Sequence, residues 1–144
     1  ARLWPSVVLQ TMCASTMSSS INSYDFDGVV YMGPGRRGVY PGPDDYIITG
    51  RSYEEEAHTF SIMRSMGLNN RVMFNKLKFS EKSRESSGWH KVSCIRQLKL
   101  NGIDVNIHFE DDPIQAQIIK DNTEVNVVLL QHDLVEKENV WHEV

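Results

Sequence analysis

Asp25 and Asp27, in the run Ser23-Tyr24-Asp25-Phe26-Asp27-Gly28, are the residues of this chain whose spacing best suits chemistry. Residues two apart on an extended chain face the same side, and Gly28 lets the backbone turn sharply where a strand ends. Two carboxylates in one partly dry pocket cannot both stay ionised without a nearby cation, and an oxygen-ligated divalent ion such as Mg²⁺ is the usual partner. With the ion in place, one acid can serve as nucleophile and the other can shuttle protons. An Asp-rich turn would use the same residue types. A calcium loop would not fit, because its sixth and twelfth positions would be Val30 and Arg36 where Gly and Glu are needed.

Three further polar groups stand where strands give way to helices. Thr49 and Gly50 follow Tyr46-Ile47-Ile48, so the Thr49 hydroxyl and the backbone N–H groups that follow, Gly50 first, can hold an anion at a helix start. The same turn with Thr49 merely satisfying the backbone is the plainer alternative. Lys91 is placed in the first turn of a later helix, where a cation is unfavourable unless negative charge lies nearby, and Lys78 and Lys82 in the preceding loop rival it for any phosphate. Glu110-Asp111-Asp112 closes another strand. Asp112 with Pro113 and Gln115 makes a helix cap, which leaves Glu110 and Asp111 without a structural explanation.

The elements that must position these groups follow from periodicity. Strands are predicted over Ile21–Tyr24, 46–48, Arg71–Phe74, around Val105, Ile107 and Phe109, and over Val125–Leu130. Ser52 and Glu55 form a capping box for a helix whose apolar face carries Tyr53, Ala57, Phe60 and Met63, and Gly67 stops it. A polar loop over 75–88 leads to a helix from about Trp89, and His108 reads as a strand residue. Residues 29–43, with Gly33-Pro34-Gly35-Arg36-Arg37-Gly38 at their centre, read as a hairpin or flap beside the acids, its arginines solvated or touching an anionic substrate. The order implies a three-layer α/β domain with a mainly parallel five-stranded sheet of Rossmann type. Ligands of such sheets gather beyond the carboxyl ends of the strands, where Asp25, Thr49 and Asp111 converge.

Composition bounds the function. With 144 residues, 40% of them hydrophobic and 24% charged, the chain fits one globular domain over 21–144, preceded by an extension, 1–20, that carries little pattern. A net charge of −4 argues against a broad basic face for duplex nucleic acid. Cys13 and Cys94 lack metal or disulfide spacing, so a reducing cytoplasm is expected. No apolar run near the N-terminus suits a membrane span, and no membrane partner is expected.

Taken together, these residues resemble the haloacid dehalogenase superfamily of phosphohydrolases across nearly all of residues 21–130. Its first motif is similar to Asp25-Phe26-Asp27-Gly28-Val29, its second to Ile48-Thr49-Gly50-Arg51, its third to Lys91 and its fourth to Phe109-Glu110-Asp111-Asp112. The departures are the polar first strand, with Asn22 and Ser23, and the choice of lysine. The resemblance implies phosphoryl transfer through an aspartyl-phosphate: Asp25 attacks phosphorus, and Asp27 protonates the leaving oxygen and then deprotonates water. Thr49, Gly50 and Lys91 hold the phosphoryl oxygens. Mg²⁺ is bound by Asp25, the carbonyl of Asp27 and Asp111, with Glu110 or Asp112 acting directly or through water. Neither 29–45 nor 75–88 is long enough for the cap domains of that family. An open site is therefore expected, suited to a nucleic-acid end, a nucleotide or a phosphoprotein, or to a small substrate covered by a partner subunit. The alternative is a non-catalytic phosphate- and metal-binding or regulatory module.

Overall fold

The computed structural model of the protein describes residues 19–135. In chain order these form β1 (Ser19–Tyr24), β2 (Tyr46–Ser52), α1 (Glu56–Ser65), β3 (Arg71–Asn75), α2 (Arg84–Leu100), β4 (Ile103–Glu110), α3 (Pro113–Asn122) and β5 (Asn126–Leu129). The five strands make one sheet in the order β3-β2-β1-β4-β5, and all neighbouring pairs are parallel. Consecutive crossovers step outward from β1 to β3, after which the chain returns to the other side of β1. The order therefore reverses between β1 and β4, and the crevice outside their carboxyl ends is where such sheets bind ligands.

Both faces of the sheet are covered, which is why its central strands tolerate adjacent apolar residues. Ile47 and Ile48 are neighbours in β2 yet serve opposite cores. Ile48 joins Ile21, Val92, Leu98, Val105 and Ile119 beneath α2 and α3. Ile47 joins Tyr24, Phe26, Val29, Val30 and Met63 beneath α1 and the turn after β1. That turn is closed by the Phe26 carbonyl, which accepts from the N–H groups of Val29, Val30 and Tyr31. Single bridges then link Tyr31 to Asp27 and to Arg37.

Several element boundaries differ from those expected, each for a local reason. β1 begins at Ser19, two residues early, because it pairs from there with Ile103 of β4. The rest of the expected extension, Cys13 and the tail beyond residue 135 lie outside the described residues. β2 runs on to Ser52, but its pairing with β3 breaks between Ile48 and Ser52, so Thr49, Gly50 and Arg51 leave the regular ladder. The Ser52–Glu55 capping box is present and opens a 3₁₀ turn, Tyr53–Glu55, that continues into α1. The buried side chains of α1 are Thr59 and Met63, while Tyr53 and Ala57 point to solvent, contrary to the expected apolar face.

The largest correction concerns α2. It starts at Arg84, not near Trp89, because Ser83 and Ser86 cap it reciprocally. Lys91 consequently sits about two turns into the helix, on its buried side, and not in its first turn. β5 is an edge strand with Val128 partly exposed, not a fully buried one. Among the described residues, no helix is long and apolar enough to cross a membrane.

Candidate functional site

The carboxyl ends of β1 and β4 bring three buried carboxylates together. Asp25 directly follows β1, where its N–H is held by the Phe109 carbonyl at 2.9 Å. Glu110 ends β4 and Asp111 follows it. One carboxylate oxygen of each lies within 4.8 Å of the others. Lys91 reaches between two of them from α2, its Nζ 2.8 Å from Glu110 Oε1 and 3.0 Å from Asp25 Oδ1.

A second layer fixes Glu110. Its Oε1 also meets His108 Nε2 at 3.0 Å, and its Oε2 accepts from the backbone N–H groups of Asp111 and Asp112, both at 3.3 Å. His108 Nδ1 meets Ser23 Oγ at 2.7 Å. A consistent proton assignment has neutral His108 donating from Nε2 to Glu110 and accepting from the Ser23 hydroxyl. Burial supports that neutral form, since it lowers the His108 pKa despite the adjacent carboxylate. The polar residues Ser23 and His108, unexpected in a central strand pair, are thus explained by the anchor they build under Glu110.

Electrostatics then divide the three acids. Burial alone would lower the Lys91 pKa, but Asp25 and Glu110 hold it well above its ordinary value. Burial would raise Glu110, but Lys91 and His108 hold it well below the carboxylate range. Asp25 goes the other way. Burial and the neighbouring charge of Glu110 raise it well above its ordinary value, and Lys91 only partly offsets them. One ammonium beside three carboxylates leaves two negative charges when all three are ionised, so Lys91, shared between Glu110 and Asp25, offsets the charge of only one of them.

These residues fit a hard divalent cation. The donors are all carboxylate oxygens, the imbalance is two charges, and the cluster is shielded from water. Gly28 completes the cradle: a Cβ there would lie 1.9 Å from Asp111 Oδ2, and its φ of +84° is one that side-chain-bearing residues avoid. When bound, such an ion supplies charge neutralisation that lets Asp25 ionise.

Asp27 faces a different partner. Its carboxylate is gripped on both oxygens by Arg51, with Nε–Oδ2 and Nη2–Oδ1 each at 2.8 Å. Arg51 is fully buried, donates from Nη1 to Thr59 Oγ1 at 3.1 Å and stands 4.9 Å over the Phe26 ring. The Asp27 side chain keeps 15% of its surface exposed, more than that of Asp25 or Asp111, so it opens toward whatever enters the crevice. Thr49 Oγ1 accepts from the Arg51 N–H at 3.0 Å, and Thr49 and Gly50 lie buried in the break of the β2 ladder.

The remaining expected residues are placed differently. Asp112 is the N-cap of α3, and its two oxygens are taken by Arg84, Gln115 Nε2 and the Ile114 N–H. Arg36 donates to the carbonyls of Met32 and Leu134, and Arg37 stands 5.1 Å over the Tyr40 ring. Arg36 therefore ties the segment after β1 to the segment after β5.

Four residues that the sequence did not single out as site residues complete the arrangement. Arg51 and Ser23 are two; His132, two residues past the end of the β5 run expected from sequence, is the third. Its Nε2 donates to the Gly28 carbonyl at 2.7 Å and lies 3.6 Å from Asp111 Oδ2, while its Nδ1 accepts from the Leu134 N–H. The usable signal was that β5 also delivers its following residues to the carboxyl edge of the sheet. The fourth, His108, was read only as a strand residue. A scan against models of protein families finds no match, and comparisons with curated proteins and with solved structures find none either.

Proposed function

We propose that the protein is a magnesium-dependent phosphohydrolase of the haloacid dehalogenase type, cleaving phosphate monoesters through an aspartyl-phosphate on Asp25. The observation that carries this reading is the charge imbalance at the switch point of the sheet: three buried carboxylates, Asp25, Glu110 and Asp111, face the single ammonium of Lys91. Such a cluster gathers oxygen donors of the kind a hard divalent ion needs.

Asp25 and Asp111 would hold the Mg²⁺, with Glu110 beside them as the anchor of Lys91. The ion supplies the positive charge that lets an anionic phosphoryl group approach an anionic nucleophile. The protein's own residues then divide the work. The Phe26 N–H and Lys91 aim Asp25 Oδ1, the atom both of them contact. Asp27, held by Arg51 with surface left exposed, is placed to give a proton to the leaving oxygen and to take one from the attacking water. Thr49, Gly50 and Lys91 form the anion pocket. The segment after β1 acts as a flap over an open site without a cap, which favours substrates that extend out of the crevice.

The test is hydrolysis of an aryl phosphate with and without Mg²⁺. Turnover should require the metal and vanish in Asp25→Asn, while Asp27→Asn should lose about 10²- to 10⁴-fold, the usual scale for a general acid or base. Retained turnover in Asp25→Asn would overturn the covalent mechanism, and an unchanged rate in Asp27→Asn would remove Asp27 from the proton transfer.

A further inference from the structure

Among the described residues, three buried side-chain atoms lack a hydrogen-bond partner: Asn75 Nδ2, Ser87 Oγ and Gln115 Oε1. The last two belong to α2 and α3, the helices that flank the carboxylate cluster. Ser87 has no exposed surface and Gln115 is 2% exposed. Burying a hydroxyl or an amide oxygen without a partner is costly, so each such atom calls for an explanation.

What these two atoms face follows from the contacts of their neighbours. Arg84, Ser87 and Lys91 stand at i, i+3 and i+7 of α2, which puts them on one stripe of the helix. Arg84 grips both oxygens of Asp112, at 2.7 and 2.9 Å, and Lys91 meets Glu110 and Asp25 at 2.8 and 3.0 Å. Ser87 lies between those two anchors, so its side chain faces the run Glu110-Asp111-Asp112. Its hydroxyl does not bond the carbonyl four residues back, the usual outlet for a serine inside a helix. Gln115 comes to the same place from the first turn of α3. Its Nε2 donates to Asp112 Oδ2 at 3.0 Å, which leaves Oε1 as the unsatisfied end. The two helices touch here, since a Cβ on Gly88 would lie 3.4 Å from the Gln115 Cα.

The chemistry of the two atoms limits what can join them. Gln115 Oε1 only accepts, and Ser87 Oγ accepts as well as donates. Their partner therefore brings protons to give. An ionised phosphoryl group has none, and ionised carboxylates are acceptors themselves. A hydrated Mg²⁺ has them, because the ion keeps several waters when carboxylates bind it and each water can donate twice. We propose that Ser87 and Gln115 are positioning residues for the hydrated divalent ion, accepting hydrogen bonds from its water while Asp25 and Asp111 bind the ion directly. This rests on the divalent-ion reading of the cluster and asks nothing of the reaction.

Calorimetric titration with Mg²⁺ and thermal unfolding without it, both on the full chain, separate this role from one in packing. Ser87→Ala should weaken Mg²⁺ binding about tenfold, the low end of what such outer contacts to a metal are worth. Its metal-free melting temperature should be unchanged or raised, because the hydroxyl it removes has no partner there. Gln115→Met should weaken Mg²⁺ binding by about the same factor, with a lower metal-free melting temperature because Asp112 also loses a donor. Unchanged Mg²⁺ affinity in either variant would overturn the proposal. So would a lower metal-free melting temperature in Ser87→Ala, which would show that the hydroxyl already serves the fold. If Gln115→Met does not fold, Ser87→Ala decides alone. Mg²⁺ affinity that depends on Ser87 in a protein that never cleaves an aryl phosphate would sink the hydrolase reading and leave these contacts standing. Mg²⁺-dependent cleavage with full Mg²⁺ affinity in Ser87→Ala would do the reverse, and a parent protein that takes up no Mg²⁺ would sink both.

Discussion

Removing the Lys91 ammonium should unbalance the site more than any other single change, and Lys91→Met does so with little loss of side-chain length. In the intact protein Lys91 contacts Asp25 and Glu110 with no surface exposed to water. Truncating one partner of a buried ion pair leaves an uncompensated charge and costs about 3–5 kcal/mol. For a domain of this size, with each kcal/mol worth roughly 3–5 °C, the melting temperature should fall by about 10–20 °C. The sign of the pH dependence identifies the cause. With Lys91 present, Glu110 is held below its unfolded value and adds stability at neutral pH that disappears in acid. Without Lys91, burial and the neighbouring acids should push Glu110 above its unfolded value of about 4.3, so the variant should lose stability as pH rises above that. The penalty should accordingly be largest near pH 7.5 and shrink toward pH 5. Mg²⁺ at about 100 times its dissociation constant stabilises a single-site protein by roughly 2.7 kcal/mol. At a fixed concentration it should stabilise Lys91→Met more than the parent, because the carboxylates left behind hold it more tightly. Urea unfolding followed by tryptophan fluorescence, at both pH values and with and without Mg²⁺, reads all three effects. A penalty below about 1 kcal/mol that is the same at pH 5 and 7.5, with no extra gain from Mg²⁺, would refute the charge-balance argument.

Gly28→Ala should abolish divalent-ion binding and destabilise the fold by at least about 1 kcal/mol, since a methyl would occupy the place of Asp111 Oδ2 at a positive φ; calorimetry with Mg²⁺ checks it, and unchanged affinity would mean that Asp111 is not a ligand. His90, which contacts the Met73 carbonyl, has its pKa lowered by burial to about 4, so it favours the unfolded state as pH drops from its unfolded value of about 6.5 toward 4. His90→Gln should therefore flatten that part of the stability curve by roughly 2 kcal/mol relative to the parent, and parallel curves would show that His90 titrates normally. Arg36→Ala should increase amide hydrogen exchange in the segment around His132 to Leu134, because the Leu134 carbonyl loses its donor. Unchanged protection there would show that the contact contributes nothing to the order of the segment.

What could be read from the chain alone was whatever is local along it. Alternation marked the strands, the Ser52–Glu55 box and the Asp112-Pro113 cap marked two helix starts, and all of these stand in the structure because each is complete within a few residues. The start of α2 was missed for the same reason inverted: its box is closed by Ser86 where Glu or Gln is the usual signal, and the polar run before Trp89 resembled a loop. That error set Lys91 in a first turn, solvated or held towards nearby negative charge, whereas in the structure it lies about two turns in, on the buried face of the helix. The Asp25-Asp27 spacing suggested two acids facing one pocket, and it held no sign that one would meet Lys91 and the other Arg51. Those pairings span 66 and 24 residues of chain, and His132 reaches Gly28 across 104. Nothing in the local sequence records which strand lies beside which. Only the order β3-β2-β1-β4-β5 sets the ends of β1 and β4 side by side, and the burial that follows turns ordinary acids and lysines into a site, because charges removed from water depend on the few neighbours that the fold leaves them.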